Sequence, residues 1–506
     1  MASKTIAQLL DPDLSCCYHG TLEVEVSELF YDSRRVQPGG VFFALRGQLA
    51  DGHDFIPQAL ANGASVIVSE QEVALPDDVT GIRVADARRA MSLMANRFYA
   101  DPTGDVPVIG VTGTNGKTTI TYLLESILRQ AGHQPAVIGT INYRFNDLVL
   151  GSPHTTPEAV DLLGNFAGFR KDGADALVME VSSHALDQYR VEEVSFKVGI
   201  FTNLTPEHLD FHGDMERYFK SKQRLFSELL PRFQGRAVIN LDDPFGQRLA
   251  AQLDNPLTCS AEYAGAMVRA TKVAFSLSGI DCTIVTPTGD IVLHSPLIGR
   301  FNLQNILCAV TAAVALDIPL ATIVAGVEQC PQVPGRMERV ANDLGAELVV
   351  DYAHTGDALE KALQTLKDLQ PRRLISVFGC GGDRDRTKRP VMGEISARIA
   401  DLSVLTSDNP RTEDPQFILD EVRQGALRVF EQEWTRDEAA SAADRGFCSL
   451  LDRAEAIAFA VSLAQPGDVV LVAGKGHEDY QIIGKNRIHF DDREQVRLAV
   501  TARTGG

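Results

Sequence analysis

The cysteine spacings of zinc sites and redox pairs are absent from the 506-residue sequence. Its eight cysteines stand at positions 16, 17, 259, 282, 308, 330, 380 and 448, and no two of them form a C-x-x-C pair. Cysteines scattered in this way argue against a zinc site and against a disulfide framework. They are typical of reduced thiols in a cytosol, so we expect a cytoplasmic protein.

An excess of basic residues is also absent. The chain has 48 Lys and Arg against 67 Asp and Glu, which gives a formal net charge of −19 at pH 7. A sequence-independent nucleic-acid surface needs the opposite balance, so we expect no nucleic-acid partner. An acidic chain that binds anions must do so at local basic or backbone-amide sites.

Long apolar segments are missing as well. The N-terminal stretch "MASKTIAQLLDPDL" lacks the apolar core of a signal peptide. The most apolar later stretch, residues 307–326, is interrupted by Asp317 and Pro319. The interruption predicts a pair of buried helices and no membrane span.

What the sequence does contain is an alternation of apolar runs with helix-like stretches from about residue 106 onward. Short β-branched runs separated by helices predict an α/β protein with parallel sheets covered on both faces. The length suggests about three domains. We place a small mixed α/β domain at 1–86, a central doubly wound domain at 87–334 and a Rossmann-like α/β domain at 335–506. The polar stretch 431–449 is expected to be a surface excursion.

A glycine-rich segment, "VIGVTGTNGKTT" (108–119), has the order strand, loop, helix start. Backbone N–H groups of Gly113 to Thr119 can converge at a helix N-terminus, which favours anions. Lys117 can reach the β- and γ-phosphates of a nucleotide, and the Thr118 hydroxyl can bind Mg²⁺. The usual phosphate-loop spacing would need glycine in place of Val111. The alternative is a glycine-rich turn with a solvated lysine, which the strand–loop–helix context disfavours.

Two further strand ends carry Glu180 and His208. Ligands of doubly wound sheets gather at the carboxyl ends of the strands, so both residues could lie near the Mg²⁺ of the loop. Taken singly, Glu180 would be interpreted as a surface carboxylate and His208 as a capping group. Together with the loop they favour a site, because three consecutive strand-end clusters lie in one domain. Lys222 falls on or beside the apolar stripe of a later helix. It could snorkel to solvent, or be desolvated with a depressed pKa and react as a neutral amine.

Four predicted strand ends of the C-terminal domain carry polar loops, at 351–355, 379–386, 408–411 and 474–478. In a parallel sheet they line one edge. Arg suits a carboxylate because its planar fork binds bidentately, and Asp and Glu suit an ammonium group. A ligand with both kinds of charge is therefore expected there. The segment "TEDP" (412–415) is expected to be a solvated helix start.

In this order, "GVTGTNGKTT", "HTTPEAVDL", "MEVSSHAL", "TNLTPEHLDFHGDMERYFKSK", "SDNPRTEDP" and "VAGKGHEDYQI" resemble the Mur ligase family. The resemblance is greatest to its MurE type, which adds the third amino acid of the peptidoglycan precursor. It covers nearly the whole chain. It implies that ATP phosphorylates the free D-Glu side-chain carboxylate of UDP-N-acetylmuramoyl-L-Ala-D-Glu, and that an incoming amine attacks the acyl phosphate.

The resemblance also implies roles for individual residues. It gives ATP binding to Gly113, Thr114, Asn115, Gly116, Lys117, Thr118, Thr119, Asn305, Arg336 and Asp351. It implies that Mg²⁺ is bound by Thr118, Glu180, His208 and a carbamylated Lys222 (N6-carboxylysine). It implies a catalytic role for Lys117, Glu180, His208 and Lys222. The UDP-sugar peptide is matched to Tyr31, Ser33, Gln48, Leu49, Ala50, Thr155, Thr156, Ser182, Gln188 and Arg190. His154 departs from the family pattern, and Tyr31 could instead be core packing.

The tetrapeptide Asp408-Asn409-Pro410-Arg411 is the form found in relatives that add meso-diaminopimelate. That amino acid differs from lysine by a second carboxylate, for which Arg411 is a partner. Lysine would leave Arg411 unpaired, which costs binding. The resemblance implies diaminopimelate contacts for Arg384, Asp408, Asn409, Pro410, Arg411, Gly474 and Glu478.

Three other functions remain as alternatives at this point. One is a different amide ligase of the superfamily, such as folylpolyglutamate synthetase. Another is a P-loop GTPase or motor, although no N-K-x-D follows the loop. The third is a non-catalytic protein of the same fold. The resemblance favours a monomer whose partners are its two substrates, with ATP and Mg²⁺ as cofactors.

Overall fold

The structure is a computed structural model that describes residues 4–12, 14, 16–47 and 50–504. The chain divides into two compact units. The first takes the residues up to 271 together with 284–291 and 304–327, and the second takes 272–283, 292–303 and the chain from 328 onward.

The N-terminal region of the first unit is a five-stranded sheet with helices. Its strand order is β2-β7-β6-β5-β4, antiparallel only between β2 and β7. Asp86 begins the last helix by accepting N–H bonds from Arg88 and Arg89. The elements are β1 (Lys4–Thr5), α1 (Ile6–Leu9), β2 (Cys16–His19), β3 (Glu25–Val26), β4 (Leu29–Phe30), β5 (Gly40–Phe43), α2 (Ile56–Ala61), β6 (Ala64–Ser69), β7 (Thr80–Val84) and α3 (Ala87–Phe98).

The central region is a larger sheet that carries the phosphate loop. Nine of its strands run in the order β11-β10-β9-β12-β8-β13-β14-β15-β16, and those from β9 to β15 are parallel. The elements up to the middle of the region are β8 (Val108–Thr112), α4 (Lys117–Gln130), β9 (Pro135–Ile138), β10 (Asn142–Phe145), β11 (Leu148–Gly151), α5 (Ala159–Lys171), β12 (Ala176–Glu180), α6 (Ser183–Asp187), β13 (Phe196–Phe201), α7 (Leu209–His212) and α8 (Met215–Arg224).

A π-helical turn, Leu225–Leu229, follows α8 directly.

The apolar stretch 307–326 forms two helices, as its sequence predicts. Among the described residues, no helix combines the length and the apolar character needed to cross a bilayer. The remaining elements are α9 (Leu230–Arg232), β14 (Arg236–Asn240), α10 (Pro244–Ala250), β15 (Leu257–Ser260), β16 (Val268–Ser276), β17 (Gly279–Thr286), β18 (Gly289–Ser295), α11 (Arg300–Ala315) and α12 (Leu320–Glu328).

The C-terminal region is a six-stranded sheet of order β19-β20-β24-β21-β22-β23, parallel except at β19. The elements are β19 (Glu338–Val340), β20 (Glu347–Asp351), α13 (Gly356–Asp368), β21 (Leu374–Cys380), α14 (Lys388–Ile399), β22 (Leu402–Ser407), α15 (Pro415–Ala426), α16 (Arg436–Ser441), β23 (Gly446–Ser449), α17 (Arg453–Leu463), β24 (Val469–Ala473), β25 (Tyr480–Ile483), β26 (Asn486–His489) and α18 (Asp492–Thr504).

Both faces of this sheet are buried. Phe378 and Leu405 belong to one apolar cluster, whereas their chain neighbours Val377 and Val404 belong to another. Successive residues of a strand point to opposite faces, so each cluster covers one face. The sheet is therefore covered on both sides, which confirms the prediction from its continuous apolar runs.

The expectation for residues 431–449 was wrong in its second half. β23 is the edge strand of the sheet, and Phe447 and Cys448 on it are buried. Trp434 packs against Gly446, where a Cβ atom would lie 2.4 Å from the indole ring. β23 was not predicted because it has only four residues, too few to show an apolar pattern, and because it follows the charged residues of α16.

Candidate functional site

The phosphate loop joins β8 to α4 and is shaped by two glycines. Gly113 has φ 143° and Gly116 has φ 89°, both in the region that favours glycine. A Cβ atom would lie 1.9 Å from the Thr202 hydroxyl at Gly113 and 2.2 Å from the Asn305 side-chain oxygen at Gly116. The loop therefore needs glycine at 113 and 116, and Asn305 lies against it at Gly116.

Side chains of the loop are held in place by the loop itself and by the end of β13. The Lys117 ammonium donates to the carbonyls of Gly113 (3.0 Å) and Thr114 (2.8 Å). The backbone N–H of Asn115 donates to the Asn203 side chain at 2.9 Å. Thr119 is buried in the first turn of α4. The strand–loop–helix arrangement predicted from sequence is present.

Thr118 and Glu180, two of the predicted magnesium ligands, are in contact. The Thr118 hydroxyl donates to the Glu180 carboxylate at 2.9 Å. The Thr140 N–H and hydroxyl donate to the same carboxylate, each at 2.9 Å. Glu180 ends β12, which pairs with β8, so the sheet brings it beside the loop.

These two residues fit a hard divalent cation. Glu180 is buried, and the described hydrogen bonds to its carboxylate come from the neutral donors Thr118 and Thr140. A buried carboxylate is costly without a compensating charge. Hydroxyl and carboxylate oxygens are also the ligands that Mg²⁺ prefers.

His208 is placed differently. It precedes α7 with φ 56°, and its ring packs edge-on against His184, with 5.0 Å between centroids. Burial lowers the pKa of His208. In the part of the chain that the structure describes, no three His, Cys, Asp or Glu side chains form a group that could hold a metal ion. The fold thus pairs Thr118 with Glu180 and sets His208 against His184.

Lys222 lies inside the protein near the end of α8. Its side chain is fully buried, and its ammonium donates to the Gly113 carbonyl at 3.0 Å. The nitrogen lies 4.6 Å from the centre of the Tyr218 ring. Burial, and then the charge of Lys117, hold the pKa of Lys222 well below its ordinary range. The sequence allowed Lys222 either to reach solvent or to be desolvated, and its burial confirms the second hypothesis.

Three of the residues matched to the peptide substrate continue the network around Glu180. The Thr156 hydroxyl donates to the Glu180 carbonyl at 2.8 Å and accepts the Ser182 N–H at 3.0 Å. Thr155 and Thr140 hydroxyls are 3.0 Å apart. The phosphate loop and these residues are therefore linked through Thr140 and Glu180.

Arg190 and Gln188 extend the same network. The Arg190 guanidinium donates to the Gln188 side-chain oxygen at 2.6 Å and to the Thr156 carbonyl at 2.9 Å. It also forms an ion pair with Glu158 at 3.0 Å. His154 joins through its backbone, whose carbonyl accepts the Tyr143 hydroxyl at 2.5 Å.

The N-terminal residues matched to the UDP-sugar are only partly described. The Tyr31 hydroxyl donates to the Asp161 carboxylate, and burial raises the pKa of Tyr31. Tyr31 is thus a polar contact on a cleft of about 930 Å³ as well as a packing residue. Ser33 donates to the Gln58 side chain at 2.7 Å, and Ala50 is exposed. Gln48 and Leu49 lie outside the described residues.

In the second unit, Asp351 ends β20 and receives N–H bonds from Met337 (2.7 Å) and Ala353 (2.8 Å). Burial raises the pKa of Asp351, against the opposing charge of Arg336. The Arg336 guanidinium lies 4.7 Å from the centre of the Tyr352 ring. Arg336 and Asp351, matched to the nucleotide, are thus neighbours.

Lys475 is the centre of the predicted amino-acid site, and sequence reasoning missed it. Its side chain is fully buried, and its ammonium donates to Asp408 (3.2 Å), Asn409 (3.1 Å) and Glu478 (3.4 Å). Asn409 also donates to Glu478 at 3.1 Å. The sequence did contain a signal for this residue. In "AGKGHE", Lys475 stands between two glycines directly after a buried strand, a position that favours a functional lysine.

The pKa values of the two carboxylates of this site are shifted in opposite directions. Burial would raise the pKa of Asp408, but Lys475 and Arg453 outweigh it and hold that pKa below its usual value. Burial raises the pKa of Glu478 in spite of Lys475. Lys475 and Arg453 therefore stabilise the charged form of Asp408, whereas burial opposes the charged form of Glu478.

Arg384 and Arg411 both donate to the loop that follows β21. Arg411 donates to the Gly382 carbonyl at 2.8 Å, and Arg384 donates to the next carbonyl, of Asp383, at 2.9 Å. Their guanidinium groups therefore bind consecutive carbonyls of one loop.

Backbone geometry and a hairpin shape the 408–411 segment. Arg411 has φ 51°, and Gly474 opposite has φ 118°. The Pro410 carbonyl lies so close to Gly382 that a Cβ there would stand 1.9 Å away. The β25–β26 hairpin supports the segment, because Gln481 donates to the Asp408 carbonyl at 2.6 Å and the Ile482 N–H to Asn409 at 2.9 Å.

The "TEDP" segment was only partly predicted. Asp414 does begin α15, by accepting the Gln416 N–H at 2.9 Å. Thr412 and Glu413 are not merely solvated, because they bind Asp383 and Arg389. Asp383 lies in the loop after β21 and Arg389 lies in α14, and the local sequence of 412–415 indicates neither contact.

Three family models match the chain in sequence. They are the "Mur ligase family, catalytic domain" over residues 25–99, the "Mur ligase middle domain" over 111–313 and the "Mur ligase, glutamate ligase domain" over 335–476. A Geobacter metallireducens protein named UDP-N-acetylmuramoyl-L-alanyl-D-glutamate--2,6-diaminopimelate ligase is 51% identical over 504 residues, 99% of this chain and 98% of its own length. The chain belongs to the Mur ligase family.

Other relatives agree with this membership. A Gloeobacter violaceus protein with the same ligase name is 46% identical over 95% of both chains. A solved structure of a ligase of that name is 34% identical, covers 99% of both chains and has a TM-score of 0.71. The Thermotoga maritima MurF ligase in complex with ADP shares the fold, at 18% identity, 94% and 98% coverage and a TM-score of 0.63. The family resemblance and three-domain α/β architecture predicted from sequence are confirmed.

Proposed function

We propose that this Mur ligase joins meso-diaminopimelate to UDP-N-acetylmuramoyl-L-Ala-D-Glu at the expense of ATP, in the synthesis of the peptidoglycan precursor. One observation carries the choice of amino acid. Arg384 and Arg411 bind consecutive carbonyls, and Glu478 follows the neighbouring strand. Two guanidinium groups suit a carboxylate, and Glu478 suits an ammonium group. Lysine has no distal carboxylate to pair with these arginines.

The proposed reaction has two steps. ATP transfers its γ-phosphoryl group to the D-Glu side-chain carboxylate, leaving ADP and an acyl phosphate. The diaminopimelate amine then attacks the acyl carbon, so that a C–N bond forms, the C–O bond to phosphate breaks and the amine loses a proton. Catalysis of such a transfer is mainly positioning and charge stabilisation. We assign ATP binding to residues 113–119 with Asn305, Arg336 and Asp351.

Magnesium is proposed to be held by Thr118, Glu180, His208 and a carbamylated Lys222. Bound there, the cation would offset the negative charge shared by ATP and the substrate carboxylate. The Thr118–Glu180 contact of 2.9 Å supports the first two ligands. In the chain itself, Lys117 contributes the cation that reaches the transferred phosphoryl group.

The burial of Lys222 supports the proposed carbamate. Burial favours the neutral amine over the ammonium group, and the neutral amine is the form that adds to CO₂. Addition gives an N-carboxylate and releases one proton. The product is an anion, so the repulsion between Lys222 and Lys117 becomes an attraction. That change supports carbamylation as the stable state of this side chain.

For the UDP-sugar peptide we propose the N-terminal residues Tyr31, Ser33 and 48–50 at one end, and Thr155, Thr156, Ser182, Gln188 and Arg190 at the other. The corresponding domains are residues 1–86, 87–334 and 335–506. The Thr155–Thr140 and Thr140–Glu180 contacts support a substrate carboxylate close to the metal site. We further propose that the enzyme acts in the cytoplasm as a monomer.

The test is phosphate release from ATP by the full chain with UDP-N-acetylmuramoyl-L-Ala-D-Glu and one amine at a time. Release should depend on both substrates and be fastest with meso-diaminopimelate. Equal rates with lysine would remove the amino-acid assignment, and release with a folate substrate in place of the UDP-sugar would favour a folylpolyglutamate synthetase.

A further inference from the structure

The loop after β21 and the loop after β22 are locked together by side chains that contact no proposed substrate. The Asp383 N–H donates to the Glu413 carboxylate at 2.6 Å. In return, the Asp383 carboxylate accepts the Thr412 N–H at 3.1 Å and the Thr412 hydroxyl at 2.8 Å. We refer to Asp383, Arg389, Thr412, Glu413 and Glu421 as the clasp.

Arg389 forms the buried base of the clasp. Its side chain is fully buried, and its guanidinium donates to both oxygens of Glu413, at 2.8 and 3.0 Å. It also donates to Glu421 at 2.6 Å and to the Gly381 carbonyl at 3.2 Å. A buried ion pair is seldom more stabilising than apolar packing of the same volume, so stability alone is a poor reason for this one. Its geometry is specific, because the fork of Arg389 fixes the carboxylate of Glu413.

The clasp pairs some of the local arginines and leaves others without an acidic partner. Arg386 is paired with Glu421 at 2.8 Å, and Arg389 with Glu413 and Glu421. Within the residues that the structure describes, Arg384 and Arg411 have no carboxylate partner and bind only the carbonyls of the clasped loops. Two acidic side chains of these loops that could compete for Arg411 are Glu413, two residues along the chain, and Asp383 in the other loop; both are occupied within the clasp.

We propose that the clasp determines specificity, by holding the guanidinium groups of Arg384 and Arg411 together for a carboxylate at the far end of the incoming amino acid. Glu413 and Arg389 are then positioning residues. This inference rests on the proposed function, because it concerns how the same site distinguishes diaminopimelate from lysine. The reacting amine is at the other end of the substrate, so the clasp acts on binding and not on the chemical step.

The test compares the full chain with Glu413→Gln, which keeps the shape of the side chain and removes its charge. The KM for meso-diaminopimelate should rise about tenfold, the effect of losing one charge-assisted contact, while kcat stays within about twofold. The kcat/KM for lysine should not change, since lysine has no group for the two arginines. The ratio of the two kcat/KM values should therefore fall about tenfold.

Two further variants make the result decisive. Glu394 lies on α14, the helix that also carries Arg389. Glu394→Gln breaks an exposed ion pair with Arg428 and should leave the ratio unchanged. Thr412→Val removes the hydroxyl bond to Asp383 and keeps the Thr412 N–H bond. If Glu413→Gln does not fold, Thr412→Val replaces it in the test. The ratio of the two kcat/KM values should again fall.

An unchanged ratio in a folded clasp variant would overturn the inference, and so would an equal loss of activity with both amino acids. A wild-type enzyme that does not use diaminopimelate would instead refute the proposed function.

Discussion

The ammonium groups of Lys117 and Lys222 donate to the same carbonyl, that of Gly113, at 3.0 Å each. Two cations on one acceptor repel each other, and the charge of Lys222 is weakly screened because its side chain is buried. Loss of the Lys222 proton relieves this repulsion, and addition of CO₂ to the neutral amine reverses it.

We therefore expect the wild-type protein to gain the mass of one CO₂ in bicarbonate and to lose activity in CO₂-free buffer. Lys222→Arg should show neither the mass gain nor activity, because a guanidinium does not form a carbamate. Lys220→Arg changes an exposed lysine of the same helix and should behave as wild type. Intact-protein mass spectrometry and phosphate release measure both effects. Full activity of a folded Lys222→Arg variant would exclude the carbamate.

Glu180→Gln should lower kcat by about 10²- to 10³-fold, because it removes a charge that stabilises the transition state. The amide can still accept from Thr118 and Thr140, so the fold should persist. Half-maximal activity should also require more Mg²⁺ than in the wild type. Glu216→Gln, in an exposed ion pair with Arg248, is the matched control. The same Mg²⁺ dependence in Glu180→Gln and wild type would remove Glu180 from the metal site.

Arg411→Ala should abolish turnover with diaminopimelate at ordinary concentrations while nucleotide binding, measured by fluorescence titration with an ATP analogue, stays intact. The variant deletes one of the two guanidinium groups at the consecutive carbonyls of Gly382 and Asp383. Arg398→Ala removes an arginine from an exposed ion pair with Glu360 and serves as control. Undiminished diaminopimelate turnover in Arg411→Ala would contradict the assignment of the distal carboxylate.

Lys475→Met should lower the free energy of unfolding by about 3–5 kcal/mol, the usual cost of leaving buried charges uncompensated. Asp408, Asn409 and Glu478 all lose a donor at once. Lys361→Met, in an exposed pair with Asp357, should cost less than about 1 kcal/mol. Urea unfolding of the three proteins gives both values. A Lys475→Met cost no greater than that of Lys361→Met would mean that the carboxylates find another cation.

The residues whose positions could be predicted from sequence are those that a short segment of the chain is enough to place. Gly113, Gly116 and Lys117 stand in one strand–loop–helix segment, and Glu180 ends an apolar run, so their meeting follows from sheet topology alone. Lys475 and Arg389 were missed because Asp408 is 67 residues from Lys475 and Glu413 is 24 residues from Arg389 along the chain. Long-range ion pairs leave no periodic signal in a single sequence. The clasp was therefore visible only as an acidic turn after Arg411.

The charge of Glu413 predicts how the clasp responds to acid. Bonds from Arg389 and from the Asp383 N–H hold the pKa of Glu413 at about 2, against an ordinary value of 4.5. Because the folded pKa is the lower one, the stabilisation is complete above about pH 4.5 and is lost as the pH falls towards 2.

The difference in free energy of unfolding between wild type and Glu413→Gln should therefore be constant from neutral pH down to about 4.5 and shrink below it. Urea unfolding at a series of pH values measures this difference. The exposed pair broken by Glu394→Gln should give a smaller difference at neutral pH. A Glu413→Gln difference that persisted unchanged to about pH 3 would show that the clasp is held by the shape of the side chain and not by its charge.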